Sequence, residues 1–247
     1  MIRIYITTFL LLIFSFVEAQ INKTGLPEMK NFTMTDYDGE EQNWSIIRDK
    51  RGVYYIGKTS EGVMEYDGTN WRKIPIPNKS MVRALALGED GMVYVGGVGE
   101  IGRLKPDTTG TLKYESFMSL FRDTTMKKAF NSDVFKAYSL DENVYFCTRQ
   151  YIAVFDGDSV SVINMGKTTL TANFLTFLVD KDFYIGSITN GLHKLVGDTI
   201  QVVPNSDILK DKNIFAIIPY SKDTMLIATA TSDMFLFIPQ KNEFKPW

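Results

Sequence analysis

The sequence predicts an all-β chain: a β-propeller of four-stranded blades, about five of them, in a ring that the sequence does not complete. Three observations predict it. A pattern of roughly forty residues recurs five times, the period of a propeller blade. Each repeat holds strand-length apolar runs separated by Asp- or Gly-bearing turns. Phe, Tyr and Trp make up 13% of the 247 residues, a composition that suits strands better than helices. Helical repeats would space their apolar residues by three and four, and a sandwich would not repeat so regularly.

The chain opens on an expected export signal, residues 1–19. Arg3 supplies the positive charge, Ile4 to Phe16 is apolar, and Val17-Glu18-Ala19 puts small residues where a signal peptidase inspects. The apolar run is shorter than the roughly 20 residues of a transmembrane helix, so cleavage before Gln20 is expected. The residue directly after that point is Gln20 and not Cys, which argues against a lipoprotein anchor. Residues 20–41 lead into the repeats.

The blades are expected at 42–76, 80–116, 132–165, 172–204 and 212–247. Their core dipeptides are Tyr55-Ile56, Tyr94-Val95, Tyr145-Phe146, Tyr184-Ile185 and Leu226-Ile227, and the small residues Gly57, Gly96, Cys147, Gly186 and Ala228 follow them. Successive first members are 39, 51, 39 and 42 residues apart. The long interval holds an insertion, Phe117 to Phe130, with the length of a short helix. In the first repeat the strands read as Trp44–Arg48, Val53–Ile56, Val63–Tyr66 and Trp71–Ile74. Asp67-Gly68 turns the third into the fourth, a turn repeated at Asp156-Gly157 and altered at Gly197-Asp198. Either five blades close by themselves or they belong to a larger ring. In the second case the end blades would expose apolar flanks, including Trp44, Phe215 and Phe235, and self-associate through open blade edges.

Several stretches carry a family likeness. They are Gly25-Leu26-Pro27, Asn31-Phe32, Asp36-Tyr37, Gln42-Asn43-Trp44-Ser45-Ile46, Gly62-Val63-Met64-Glu65-Tyr66-Asp67-Gly68 with Trp71-Arg72, Ser80-Met81-Val82-Arg83, and Gly99-Glu100-Ile101-Gly102. Over residues 25–116 the chain resembles the N-terminal periplasmic regions of two-component regulator propeller proteins of Bacteroidetes-type bacteria. These include hybrid sensor histidine kinases and triple-tyrosine-motif regulators with LuxR-type DNA-binding ends. The later repeats match only the general blade pattern. Arg103 stands where the family pattern has Tyr, and Phe117 where it has Leu. Family members continue through more blades, a Tyr-rich sandwich, a membrane helix and a cytoplasmic output domain, none of which this sequence contains. The resemblance implies signal sensing, with any kinase activity belonging to that missing C-terminal region.

Composition and motifs narrow the chemistry. A formal net charge of −2 gives no basic surface for nucleic acid. Cys147, the single cysteine, sits beside Tyr145-Phe146 and reads as a small buried hydrophobe. Gly97-Val98-Gly99-Glu100-Ile101-Gly102 has dinucleotide-loop spacing, but Pro106 blocks the helix such a loop must open. The glycines therefore read as a loop between strands. One histidine and one cysteine are too few for a zinc site, and the Asp-rich turns lack the spacing of a calcium loop. No triad or phosphate loop is present. No catalytic, metal or cofactor residue is assigned, and no metal or nucleotide dependence is expected.

Binding is expected on one face. In a four-stranded blade, the loop joining the second and third strands lies on the same face as the connection to the next blade. Those loops carry Glu61, Glu100, Arg149, Tyr151, Asn190 and Asp233, while Asn43, Lys79 and Asn173 sit on connections. The mixture suits a polar ligand such as a glycan, with Tyr151 as a stacking surface. The expected function is a periplasmic, ligand- or partner-sensing propeller of a two-component regulator. The alternative is a stand-alone secreted propeller, either a lyase using His193 as base or a carbohydrate- or protein-binding module.

Overall fold

The computed structural model describes residues 25, 29–39, 42–60, 62–165 and 175–247. The expected export signal lies outside them. The chain divides into two compact units, residues 1–36 and 37–247. Ahead of the strands is one helical turn, Met34–Tyr37, where the Asp36 carboxylate accepts from the Thr33 backbone N–H at 2.6 Å and its hydroxyl at 2.8 Å. Among the described residues, no helix is long and apolar enough to cross a membrane.

Five four-stranded antiparallel sheets follow, each with its strands in sequence order. Blade 1 is β1 Asn43–Arg48, β2 Tyr54–Lys58, β3 Val63–Tyr66 and β4 Trp71–Ile74. Blade 2 is β5 Val82–Leu87, β6 Val93–Gly97, β7 Ile101–Pro106 and β8 Leu112–Ser116. Blade 3 is β9 Lys136–Leu140, β10 Asn143–Cys147, β11 Tyr151–Phe155 and β12 Val160–Asn164. Blade 4 is β13 Leu175–Val179, β14 Asp182–Ser187, β15 Gly191–Val196 and β16 Thr199–Val202. Blade 5 is β17 Ile214–Ser221, β18 Thr224–Thr229, β19 Met234–Ile238 and β20 Glu243–Pro246. The first strands meet one another, β1 with β5, β5 with β9 and β13 with β17, so they form the inner wall. The ring is not closed.

The turns obey local chemistry. The Asp67 carboxylate accepts from the N–H groups of Thr69 and Asn70 at 2.8 and 2.7 Å, while Gly68 takes φ +100°, which a side chain would resist. Asp156 holds the turn of blade 3 in the same way. The insertion before blade 3 contains a helix, Thr124–Ala129, capped by Asp123. It brings its own aromatic core, for Phe117, Phe121 and Phe130 are buried and Phe117 stacks on Phe155 with centroids 4.0 Å apart.

The core dipeptides sit in the second strand of every blade, and strand alternation gives their members opposite duties. The second member faces the preceding blade and the first faces the following one. Val95 of blade 2 packs in one cluster with Tyr55 of blade 1. Phe146 of blade 3 packs with Tyr94 of blade 2. Ile185 packs with Tyr145, and Ile227 with Tyr184. The small residue two places after the first member shares its face and lies under the inner strand of the next blade. A Cβ on Gly57 would sit 2.6 Å from the Val82 carbonyl oxygen, and one on Gly96 would sit 2.5 Å from a Val134 methyl.

The two ends of the arc differ: of the expected apolar residues Trp44 and Phe215 are exposed and Phe235 is buried. On blade 1 the face turned away from blade 2 carries Ile56, Met64 and Lys58, all buried. Tyr37 to Gly39 lies across it. The Tyr37 ring is 4.6 Å from the Lys58 ammonium and 5.4 Å from the Trp71 ring, and Asp38 pairs with Lys73 at 3.2 Å. Phe235 is not on a flank, because its register with Ile227 puts it in the core between blades 4 and 5. The open face of blade 5 is instead the row Ile218, Leu226 and Leu236 beside Ala216, Ala228 and Met234. Ile218 is 50% exposed and Met234 37%.

Candidate functional site

Three inner strands begin with the same irregularity. The ladder between first and second strands skips one residue between Asn43 and Ser45, between Val82 and Ala84, and between Ile214 and Ala216. The skipped residues are Trp44, Arg83 and Phe215. A bulge frees one residue from the ladder and re-aims its side chain. In blade 3 the equivalent position is Phe135, whose N–H donates to the Cys147 carbonyl at 2.8 Å. The equivalent position of blade 4 falls outside the described residues.

Three of these side chains form a contiguous cluster at the mouth of the inner wall. The Arg83 guanidinium carbon lies 4.0 Å from the Trp44 ring centroid and 5.5 Å from that of Phe135. On the same Phe135 ring, at 5.1 Å, lies the guanidinium of Arg149. Trp44 is fixed by its indole N–H, which donates to the Thr59 hydroxyl at 3.1 Å, and the residue is 38% exposed. Phe215 is 56% exposed in blade 5. Asp133 is the acidic member, with Oδ2 3.4 Å from Arg83 Nε. Cation–π stacking of this kind orients each guanidinium plane and contributes about 0.5–2 kcal/mol per pair.

The expected loop face exists. Ser80, on the connection from blade 1, exchanges hydrogen bonds with both backbone groups of Val98, on the loop between β6 and β7. The Gly99 N–H donates to the Ser132 carbonyl at 2.9 Å, tying that loop to the connection before blade 3. A strand, not a helix, follows these glycines.

The candidate residues on this face separate. Arg149 joins the cluster. Tyr151 opens β11 instead of lying in a loop, and its ring is half-buried against the core between blades 2 and 3. Glu100 is buried and accepts from the hydroxyls of Tyr114 and Ser116. The burial that encloses Tyr114, and then the Glu100 charge, raise the Tyr114 hydroxyl well above the ordinary tyrosine range. Asp233 pairs with Lys212 and accepts from the Thr231 hydroxyl, contacts that hold its carboxyl below the usual range. Asn190 donates its backbone N–H to the Ser187 hydroxyl in the turn of blade 4. Among the connection residues, Asn43 accepts from the buried Lys58 ammonium at 2.8 Å. Glu61 and Asn173 lie outside the described residues. The sequence reading passed over Trp44, Arg83, Asp133 and Phe135 as a set. The signal was their register, each bulge residue standing directly before the inner-strand residue that pairs with a blade's small residue.

The remaining titratable groups have structural surroundings. Burial pushes the Cys147 thiol up to about 12, which leaves it protonated and inert. His193 pairs with Ile185, so it belongs to the face packed on blade 3 and not to the mouth; burial holds its imidazole below the usual value. Among the described residues no cluster of three or more His, Cys, Asp or Glu could hold a metal.

No protein-family model and no curated protein sequence matches the chain. Solved structures do. The chain is similar to virginiamycin B lyase from Staphylococcus aureus at 12% identity and TM-score 0.58, over 83% of this chain and 69% of the lyase. It is similar to the extracellular domain of a putative hybrid two component system from B. thetaiotaomicron at 14% identity and TM-score 0.58, over 83% of this chain. Against the WD40 β-propeller domain of Doa1 the identity is 10% and the TM-score 0.58, over 83% of this chain and 68% of that domain. The chain spans only 27% of the two component extracellular domain. These likenesses establish the fold, an unclosed β-propeller of four-stranded blades.

Proposed function

We propose that the chain is an exported, ligand-sensing propeller of a two-component type regulator, with its output carried elsewhere. The observation that carries the sensing half is the Trp44–Arg83–Phe135–Arg149 cluster. The exposed Trp44, the partly exposed Phe135 and oriented guanidinium groups share one mouth, where they offer stacking and directional hydrogen bonding to a polar ring such as a sugar. Binding without chemistry is the reading the geometry favours, because His193, the base a lyase would need, faces the third blade. The two-component half rests on the sequence resemblance and on likeness in fold to an extracellular sensor domain.

Isothermal titration against neutral hexasaccharides (cello-, xylo-, malto- and mannohexaose) together with oligogalacturonate tests the reading. At least one saccharide should bind and be recovered with unchanged mass, and Trp44→Ala should weaken it about tenfold through lost stacking. Cleavage of the saccharide, equal binding by the variant, or no binding across the panel would overturn it.

A further inference from the structure

The structure assigns a charge to the ligand: we infer that the mouth binds an acidic saccharide, a uronic-acid oligomer whose carboxylate is held by Arg149 with Arg83. The inference rests on the sensing reading above and adds its chemical class.

The first support is the imbalance of charge. Arg51, Arg72, Arg83, Arg103 and Arg122 each pair with a carboxylate. Arg149 has no ion pair or hydrogen bond among the described residues, although it is exposed at a loop tip and held over Phe135. Asp133 is the one described carboxylate pairing with this cluster, and it serves Arg83 alone. Glu100, on the neighbouring loop, is buried under Tyr114 and Ser116.

The second support is the fixed position of both guanidinium groups. Arg83 Nε is buried and has no hydrogen-bond acceptor in good geometry among the described residues, its nearest carboxylate oxygen standing at 3.4 Å. Enclosed beside Asp133, that atom fixes the guanidinium and leaves the terminal nitrogens of Arg83 to meet an arriving carboxylate. Guanidinium groups fixed against aromatic rings have little orientational freedom left to lose. They also match a carboxylate in two-point geometry, the strongest neutralising contact available to a protein side chain. Trp44 beside them, 38% exposed, supplies apolar surface for the ring that bears the acid. Arg48, the other described arginine without a carboxylate partner, stacks on Tyr54 at the far end of β1 and makes a control outside the mouth.

The test is calorimetric titration of the full chain with oligogalacturonate and with the same oligomer fully methyl-esterified, which removes charge but keeps the sugar. The acid should bind about tenfold or more tightly than the ester, with affinity falling as salt rises. Arg149→Gln should remove most of that preference, Arg149→Lys should retain part of it, and Arg48→Gln should leave it unchanged. Equal binding of acid and ester, or an Arg149→Gln protein that still prefers the acid, overturns the inference. If acid and ester bind equally and Trp44→Ala weakens both alike, the sensing reading survives and the acidic class falls. If neutral saccharides bind and neither oligomer does, the result is the same. If nothing binds, both fall.

Discussion

Gly57 shows how one absent side chain sets the distance between two blades. It has no left-handed backbone to excuse it; its constraint is space, because a Cβ there would lie 2.6 Å from the backbone oxygen of Val82. A backbone atom cannot turn aside, so blade 2 itself would have to move. Gly186 holds the same position in blade 4, yet its hypothetical Cβ meets only the Ile214 side chain, at 3.2 Å. Blade 5 already carries Ala228 there. Gly57→Ala is therefore expected to lose about 1–3 kcal/mol to overpacking. Gly186→Ala should change stability by less than about 1 kcal/mol, because overpacking is offset by the lower entropy of the unfolded chain. Urea titrations of the two variants check the contrast, and equal losses would count against the packing account.

At the scale of strands, the fold was legible because local and global signals agree. Asp67-Gly68 turns, strand-length apolar runs and the recurring dipeptides place β2, β3 and β4 within a residue or two of where they lie. Which member of a dipeptide faces which neighbour needs the register of three strands at once, so Phe235 was misplaced onto a flank. The mouth was harder to read for the same reason. Trp44, Arg83 and Phe215 differ in chemistry, and their equivalence is a bulge, a property of pairing and not of composition. Glu100 and Tyr151 looked available because loops and strand starts usually are, but inter-strand hydroxyls and the insertion's core enclose them. The facing rule makes a prediction of its own. Ile185→Ala, which opens a hole between blades 3 and 4, is expected to cost about 2–5 kcal/mol. Leu226→Ala, on the open face of blade 5, should cost less than about 1.5 kcal/mol, since Leu226 is only partly buried there. Melting curves in which the two variants lose equal stability would refute the assignment of faces.

For the whole molecule, the arc has one covered end and one open one. The blade 5 face built from Ile218, Leu226 and Leu236 occupies the register that buries Tyr55, Tyr94 and Tyr184 in the other blades. We infer that residues 20–247 alone associate with a second copy through this face. Sedimentation should show more than a monomer, and Ile218→Asp with Leu236→Asp should restore one; a monomeric parent protein would contradict this. Among the described residues the mouth cluster comes from blades 1 to 3, so ligand reading and association are separable. Hydrogen exchange on the full chain, free and saturated with the tightest saccharide of the panel, tests the central claim most directly. The account predicts slowed exchange confined to residues 43–46, 81–85, 131–137 and 148–151. Protection centred on residues 226–236, or none at the mouth, would contradict it.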